Sequence, residues 1–127
     1  MPLKIQKLDH FAIYVTDLRQ AENFYSNFLG MEVRNRIGVE QVLMKCGDTL
    51  LALFAKPDLK TPVEPGAPDN PFGRIHFAVN VSVEDWEKAR LEFKEVGIPM
   101  SHTIDWGDHN CFYITDPDGN MIELMFS

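Results

Sequence analysis

Two cysteines in 127 residues, Cys46 and Cys111, are too few for a disulfide framework and allow one bridge at most. No apolar run approaches the roughly 20 residues that a membrane-spanning helix requires. Basic residues are scarce too: 12 Lys and Arg stand against 19 Asp and Glu, a formal charge of −7 without any basic cluster. Neither nucleic acid nor an anionic membrane surface is an expected partner of so acidic a chain. The opening stretch, Lys4 to Asp9, is polar and reads as no secretory leader. The expectation is a soluble, cytoplasmic protein of one domain, because this length supports one sizeable core and not two independent ones.

What the chain has is an echo of itself. His10-Phe11-Ala12-Ile13-Tyr14-Val15 matches His76-Phe77-Ala78-Val79-Asn80-Val81 at five of six positions, at an offset of 66. A helix signal follows each hexamer, and each helix is expected to end at a glycine, Gly30 or Gly97. Gly47-Asp48-Thr49-Leu50-Leu51-Ala52-Leu53-Phe54 lies against Gly119-Asn120-Met121-Ile122-Glu123-Leu124-Met125-Phe126 at an offset of 72. Three landmarks in one order argue for a repeated module rather than chance composition.

Each copy reads as strand, helix, then three strands. In the first, 8–15 is a strand, Asp17 caps a helix, and Leu18, Ala21, Tyr25 and Phe28 form its apolar stripe. Strands near 31–36, 39–46 and 48–55 follow. In the second, Ser82 caps a helix whose stripe is Trp86, Ala89, Phe93 and Val96. Strands near 98–104, 110–115 and 120–126 complete it, with a strong turn at Asp116-Pro117-Asp118-Gly119. Between the copies, 56–73 holds five prolines and two glycines and reads as a surface linker. The boundaries expected are module 1 at about 5–55, the linker at 56–73 and module 2 at about 74–127, together one domain.

One residue does not fit a core. Glu123 stands in Met121-Ile122-Glu123-Leu124-Met125-Phe126, apolar on both sides, with no Lys or Arg nearby in sequence. A lone buried carboxylate costs several kcal/mol or becomes protonated, so it needs a partner. Side chains alternate along a strand, which places His10, Ala12 and Tyr14 on one face and His76, Ala78 and Asn80 on its counterpart. A single buried His is more often a satisfied core residue than a ligand. Two at matching positions plus a stranded carboxylate make a ligand set for Zn, Fe, Mn or Ni. His10, His76 and Glu123 are therefore the expected metal ligands.

Those residues, with Leu8 to Leu18, Phe24 to Met31 and Asp116 to Leu124, make the chain resemble the vicinal oxygen chelate superfamily of glyoxalase-, bleomycin-resistance- and extradiol-dioxygenase-like proteins. The resemblance implies an α+β fold: two tandem βαβββ modules in a curved, incompletely closed mixed β-barrel with helices outside. It also implies a divalent metal ion, a small chelating substrate and a homodimer, whose modules pair within or between chains. By the repeat alignment Leu51 opposes Glu123 where a fourth ligand stands in glyoxalase I. Neither Leu51 nor its neighbour Ala52 can ligate, so glyoxalase I activity is not expected. A dioxygenase-like reaction is favoured within the superfamily. The alternatives are a fosfomycin-type thiol transferase, an epimerase and a non-catalytic antibiotic-binding protein.

Three further side chains are candidates for catalysis. Tyr113 lies ten residues before Glu123, the spacing at which the resemblance places a substrate-facing tyrosine. A four-residue turn at 116–119 pairs Tyr113 with Ile122 and turns it away; an odd-length turn turns it inward. His102 and His109 could supply an acid or base of near-neutral pKa, or stand in water. Cys46 and Cys111 read as small core residues. The inner lining expected (Ala12, Leu51, Leu53, Ala78, Met121, Met125) suits a compact, partly apolar substrate.

Overall fold

The computed structural model describes residues 2–59 and 75–127. They fall into two compact units, Met1–Leu59 and Lys60–Ser127. Most of the expected linker, 56–73, lies outside the described residues. No helix among them is long and apolar enough to cross a membrane.

The first unit runs β1 (His10–Val15), α1 (Leu18–Asn27), β2 (Glu32–Ile37), β3 (Gln41–Cys46) and β4 (Thr49–Ala55). Its sheet has the order β1-β4-β3-β2, with β1 parallel to β4 and the remaining pairs antiparallel. The second unit repeats the order as β5 (His76–Asn80), α2 (Val83–Glu95), β6 (Ile104–Asp105), β7 (Asn110–Thr115) and β8 (Met121–Phe126). Its sheet is β5-β8-β7-β6, again with one parallel pair, β5 and β8. The expected α+β class with two βαβββ modules is what the chain forms.

Both helices start where a side chain captures an unpaired backbone N–H. Asp17 accepts from the N–H of Gln20 at 3.0 Å, and Ser82 from that of Asp85 at 3.1 Å. After α1 the chain reverses through Gly30 at φ +66°, a conformation glycine adopts without strain. The buried face of α1 is Ala21, Phe24 and Tyr25, whereas Phe28, expected in the stripe, is 37% exposed. In α2 Trp86 and Phe93 are buried and Val96 is exposed.

Each helix covers one face of its own sheet. The α1 helix packs on β3 and β4, whose Val42, Met44, Leu51 and Leu53 are buried. Trp86 of α2 packs on Phe112 and Phe126 and donates its indole N–H to the carbonyl of Leu124 at 2.9 Å. Fully burying one such apolar side chain stabilises the fold by about 1.5–3 kcal/mol. The opposite face of each sheet is thereby left to other chemistry.

The strand expected over 98–104 is the main departure. Only Ile104 and Asp105 form a strand, with an isolated bridge between Met100 and Ile114. Pro99 has no N–H for a ladder, and the Ser101 hydroxyl accepts the N–H of Tyr113 at 2.9 Å. The backbone there leaves the sheet before rejoining it at β6.

Candidate metal centre

Register decides which side chains share the face away from α2. Cross-strand partners in a ladder lie on the same face. Ala78 pairs with Glu123, and Glu123 with Tyr113. His76, two residues before Ala78, is on that face, as are Met121, Met125 and Cys111. Tyr113 therefore points inward. The 116–119 turn is one residue longer than expected, since Thr115 pairs with Met121 across the five residues 116–120.

Asp116 builds that loop. Its Oδ1 accepts the N–H groups of Asp118 and Asn120, both at 2.9 Å, and its Oδ2 accepts the Asn120 amide at 2.9 Å. Gly119 closes the turn at φ +83° and donates to the Asp116 carbonyl at 3.0 Å. An odd loop length places Tyr113 beside Glu123, where an even one would have placed Ile122.

Glu123 is 7% exposed. Its Oε1 lies 3.2 Å from Nε2 of His76, and its Oε2 lies 3.8 Å from Nε2 of His109. Among the described residues no Lys or Arg comes within ion-pair distance of it. The ring of His76 meets the ring of Tyr113 edge-on at 5.2 Å. Burial, and after it the Glu123 carboxylate, pushes the Tyr113 phenol well above its ordinary pKa, so it remains an O–H donor. Burial also raises the Cys111 thiol, which accepts the Trp106 indole N–H at 3.3 Å.

His109 is held on the hairpin between β6 and β7. Its Nδ1 is 2.7 Å from Asp108 Oδ1, and its ring stacks on Trp106 at 6.5 Å. The hydrogen bond from His109 holds the Asp108 carboxyl below its usual pKa. An ionised carboxylate only accepts, so Nδ1 donates the hydrogen bond to Asp108, and Nε2 is the ring atom that faces Glu123. His10 repeats the pattern in the first unit: it is exposed, and its Nδ1 lies 2.8 Å from Asp9 Oδ2. There too Nδ1 is the atom engaged by the carboxylate, and Nε2 is the ring atom left for another partner. Sequence reading overlooked Asp9 and Asp108, although both stand immediately before their histidine. His102 is exposed, on the segment that leaves the sheet, and is not within ion-pair distance of Glu123.

The first unit corrects two expectations. There Ala12 pairs with Ala52, as Ala78 pairs with Glu123 in the second. The position equivalent to Glu123 is Ala52, not Leu51. Leu51 and Leu53 share the face of Phe11 and Ile13, so they line the helix side and not the inner face. The inner face instead carries Leu50, Ala52 and Phe54 beside His10, Ala12 and Tyr14.

Among the described residues no group of three or more His, Cys, Asp and Glu stands where it could by itself hold a metal ion. The second unit supplies a pair. Carboxylate and imidazole atoms 3.2 Å apart fit adjacent positions around a cation with ligand bonds near ~2.1 Å. With no Lys or Arg beside the buried carboxylate, that pair has the donor chemistry of a divalent-ion site but supplies only two of the ligands one needs.

The profile of the Glyoxalase/Bleomycin resistance protein/Dioxygenase superfamily matches residues 7–124, and the chain belongs to this family. The chain is 27% identical over 124 residues to the glutathione transferase FosA of Serratia marcescens, covering 94% of this chain and 80% of that one. It is 31% identical over 128 residues to the mitochondrial methylmalonyl-CoA epimerase of Bos taurus, covering 93% and 73%. The crystal structure of lactoylglutathione lyase from Agrobacterium tumefaciens superposes with a TM-score of 0.75 at 26% identity, over 98% of this chain and 96% of that one.

Proposed function

We propose that the protein is a divalent-metal-dependent enzyme acting on a small molecule that chelates the ion through two oxygens. The observation that carries this reading is the buried Glu123 carboxylate set between the Nε2 atoms of His76 and His109, 3.2 and 3.8 Å away. His76 and Glu123 are the proposed ligands from the second unit. His10, its Nδ1 engaged by Asp9, is the proposed third, from the same chain or a second copy in a homodimer. The ion, one of Fe, Mn, Zn or Ni, would supply Lewis acidity to the substrate oxygens.

The chain's own residues supply the rest. Tyr113 keeps its proton and can donate a hydrogen bond to an oxyanion that develops on the substrate. His109, its Nδ1 proton held by Asp108, can take up a proton at Nε2. Both groups serve proton transfer and addition. That chemistry, together with a transferase and an epimerase among the relatives, favours addition or epimerisation over the dioxygenase-like reaction expected from the sequence. Ala52, which cannot transfer a proton, weighs against lactoylglutathione lyase activity despite the shared fold.

The test begins with metal analysis of the purified protein after reconstitution. About one equivalent per chain is expected, and less than about a tenth of any transition metal would sink the reading. The loaded protein is then assayed with an epoxide plus a thiol, with methylmalonyl-CoA in deuterated water, and with catechol under oxygen. Turnover in either of the first two supports the preferred reaction class, and turnover of catechol alone overturns it. Full metal loading without turnover, tight small-molecule binding included, makes the protein a binding one.

A further inference from the structure

The two carboxylates beside His109 do not fix the plane of its ring. Nε2 lies 3.8 Å from Glu123 Oε2, beyond hydrogen-bond reach. Nδ1 lies 2.7 Å from Asp108 Oδ1, but the Asp108 side chain is 86% exposed. A hydrogen bond to so wet a carboxylate competes with water and holds its partner loosely. A bond at one ring atom also leaves the tilt of the imidazole undetermined.

Trp106 supplies the constraint. Its indole lies nearly parallel to the imidazole, at 24° with centroids 6.5 Å apart, an offset stack. The indole is itself anchored, its N–H donating to Cys111 Sγ at 3.3 Å. Cys111 is fully buried on β7, between Ile104 of β6 and Met125 of β8 in the ladder. Sulfur is a weak acceptor, but one walled off from water does not lose its donor to solvent. The backbone that carries both rings is closed as well. The Trp106 N–H donates to the His109 carbonyl at 2.9 Å, and the Gly107 N–H to Asp105 Oδ1 at 2.8 Å.

We propose that Trp106 is a positioning residue for His109: anchored through its indole N–H to Cys111, it holds the imidazole with Nε2 turned toward Glu123. Trp106 meets no reacting atom and acts through His109 alone. Cys111, which the sequence presents as a small core residue, becomes the fixed point from which a catalytic ring is aimed. The consequence for turnover rests on the metal-enzyme reading; the orientation of the ring does not.

The orientation is read by NMR of metal-free full-length protein, from nuclear Overhauser cross-peaks between the His109 ring and the Glu123 side chain. Trp106→Ala and Cys111→Ala are expected to lose these cross-peaks. Cys111→Ser, whose hydroxyl can accept the indole N–H, is expected to keep them. The amide pattern of β7 and β8 should stay native in Trp106→Ala, since Trp106 is 52% exposed. Cross-peaks that persist in Trp106→Ala and Cys111→Ala overturn the proposal. So does a loss that comes only together with the β7 and β8 amide pattern, which marks a purely structural role. In the metal-loaded enzyme Trp106→Ala should lower kcat about tenfold with KM unchanged, and should have no further effect in a His109→Gln background. An equal fall in both backgrounds also overturns the proposal. Cross-peaks lost as expected in a protein without turnover refute the enzyme reading alone.

Discussion

At Tyr113 burial and the Glu123 carboxylate push in the same direction, both disfavouring the phenolate. An unfolded tyrosine ionises near pH 10. Above that pH the unfolded chain releases a proton that the native protein retains, so the phenol's contribution is complete below about pH 10 and is lost as pH rises. Tyr113→Phe should therefore flatten the fall in the urea midpoint between about pH 9.5 and 11. An unchanged slope would show that the ring is not buried against a charge. Glu123 makes the complementary prediction. Glu123→Gln keeps the shape of the side chain and removes the charge, so the bound metal should drop from about one equivalent to under a tenth with the fold retained by circular dichroism. The anomaly of Glu123 was legible in the sequence because an isolated carboxylate in an apolar strand has few solutions. The role of His109 was not, because its approach to Glu123 depends on a hairpin that sequence spacing does not describe.

The loop at 116–120 is the element on which the site depends most. Three hydrogen bonds converge on the buried carboxylate of Asp116. Asp116→Ala leaves backbone donors without that acceptor and should cost about 2–4 kcal/mol in urea unfolding of chelator-treated protein. Asp116→Asn, which keeps an acceptor oxygen for the two backbone N–H groups, should cost about 1 kcal/mol. Equal losses for the two variants would mean that the loop is held by something other than this acceptor. The helices and most strands were readable, since Asp17, Ser82 and the apolar periodicities are local signals. The strand at 98–104 was not, because Pro99 and the Ser101 hydroxyl replace ladder bonds that composition alone suggests.

For the whole molecule, a metal held by the proposed ligands would stabilise the native state that presents them. A ligand bound only by the native state stabilises it by about 2.7 kcal/mol at a hundredfold excess over Kd. Adding the metal should raise the midpoint of thermal unfolding, and His76→Ala or His10→Ala should abolish the rise. A shift that survives in His10→Ala would confine the site to the second unit. The sequence by itself determined the two βαβββ modules and their caps, because caps, turns and periodicity act over a few neighbouring residues. Even the pairing of His76 with Glu123, 47 residues apart, followed from the repeat and the charge left stranded in an apolar strand. Register was another matter. A shift of one residue exchanges the two faces of a strand. Only the tertiary structure could therefore decide that Ala52 stands at the fourth position, that Leu51 faces the helix and that Tyr113 turns toward Glu123. Where the sequence offered three matched residues, the fold presents a buried carboxylate with His76, His109 and Tyr113 set around it.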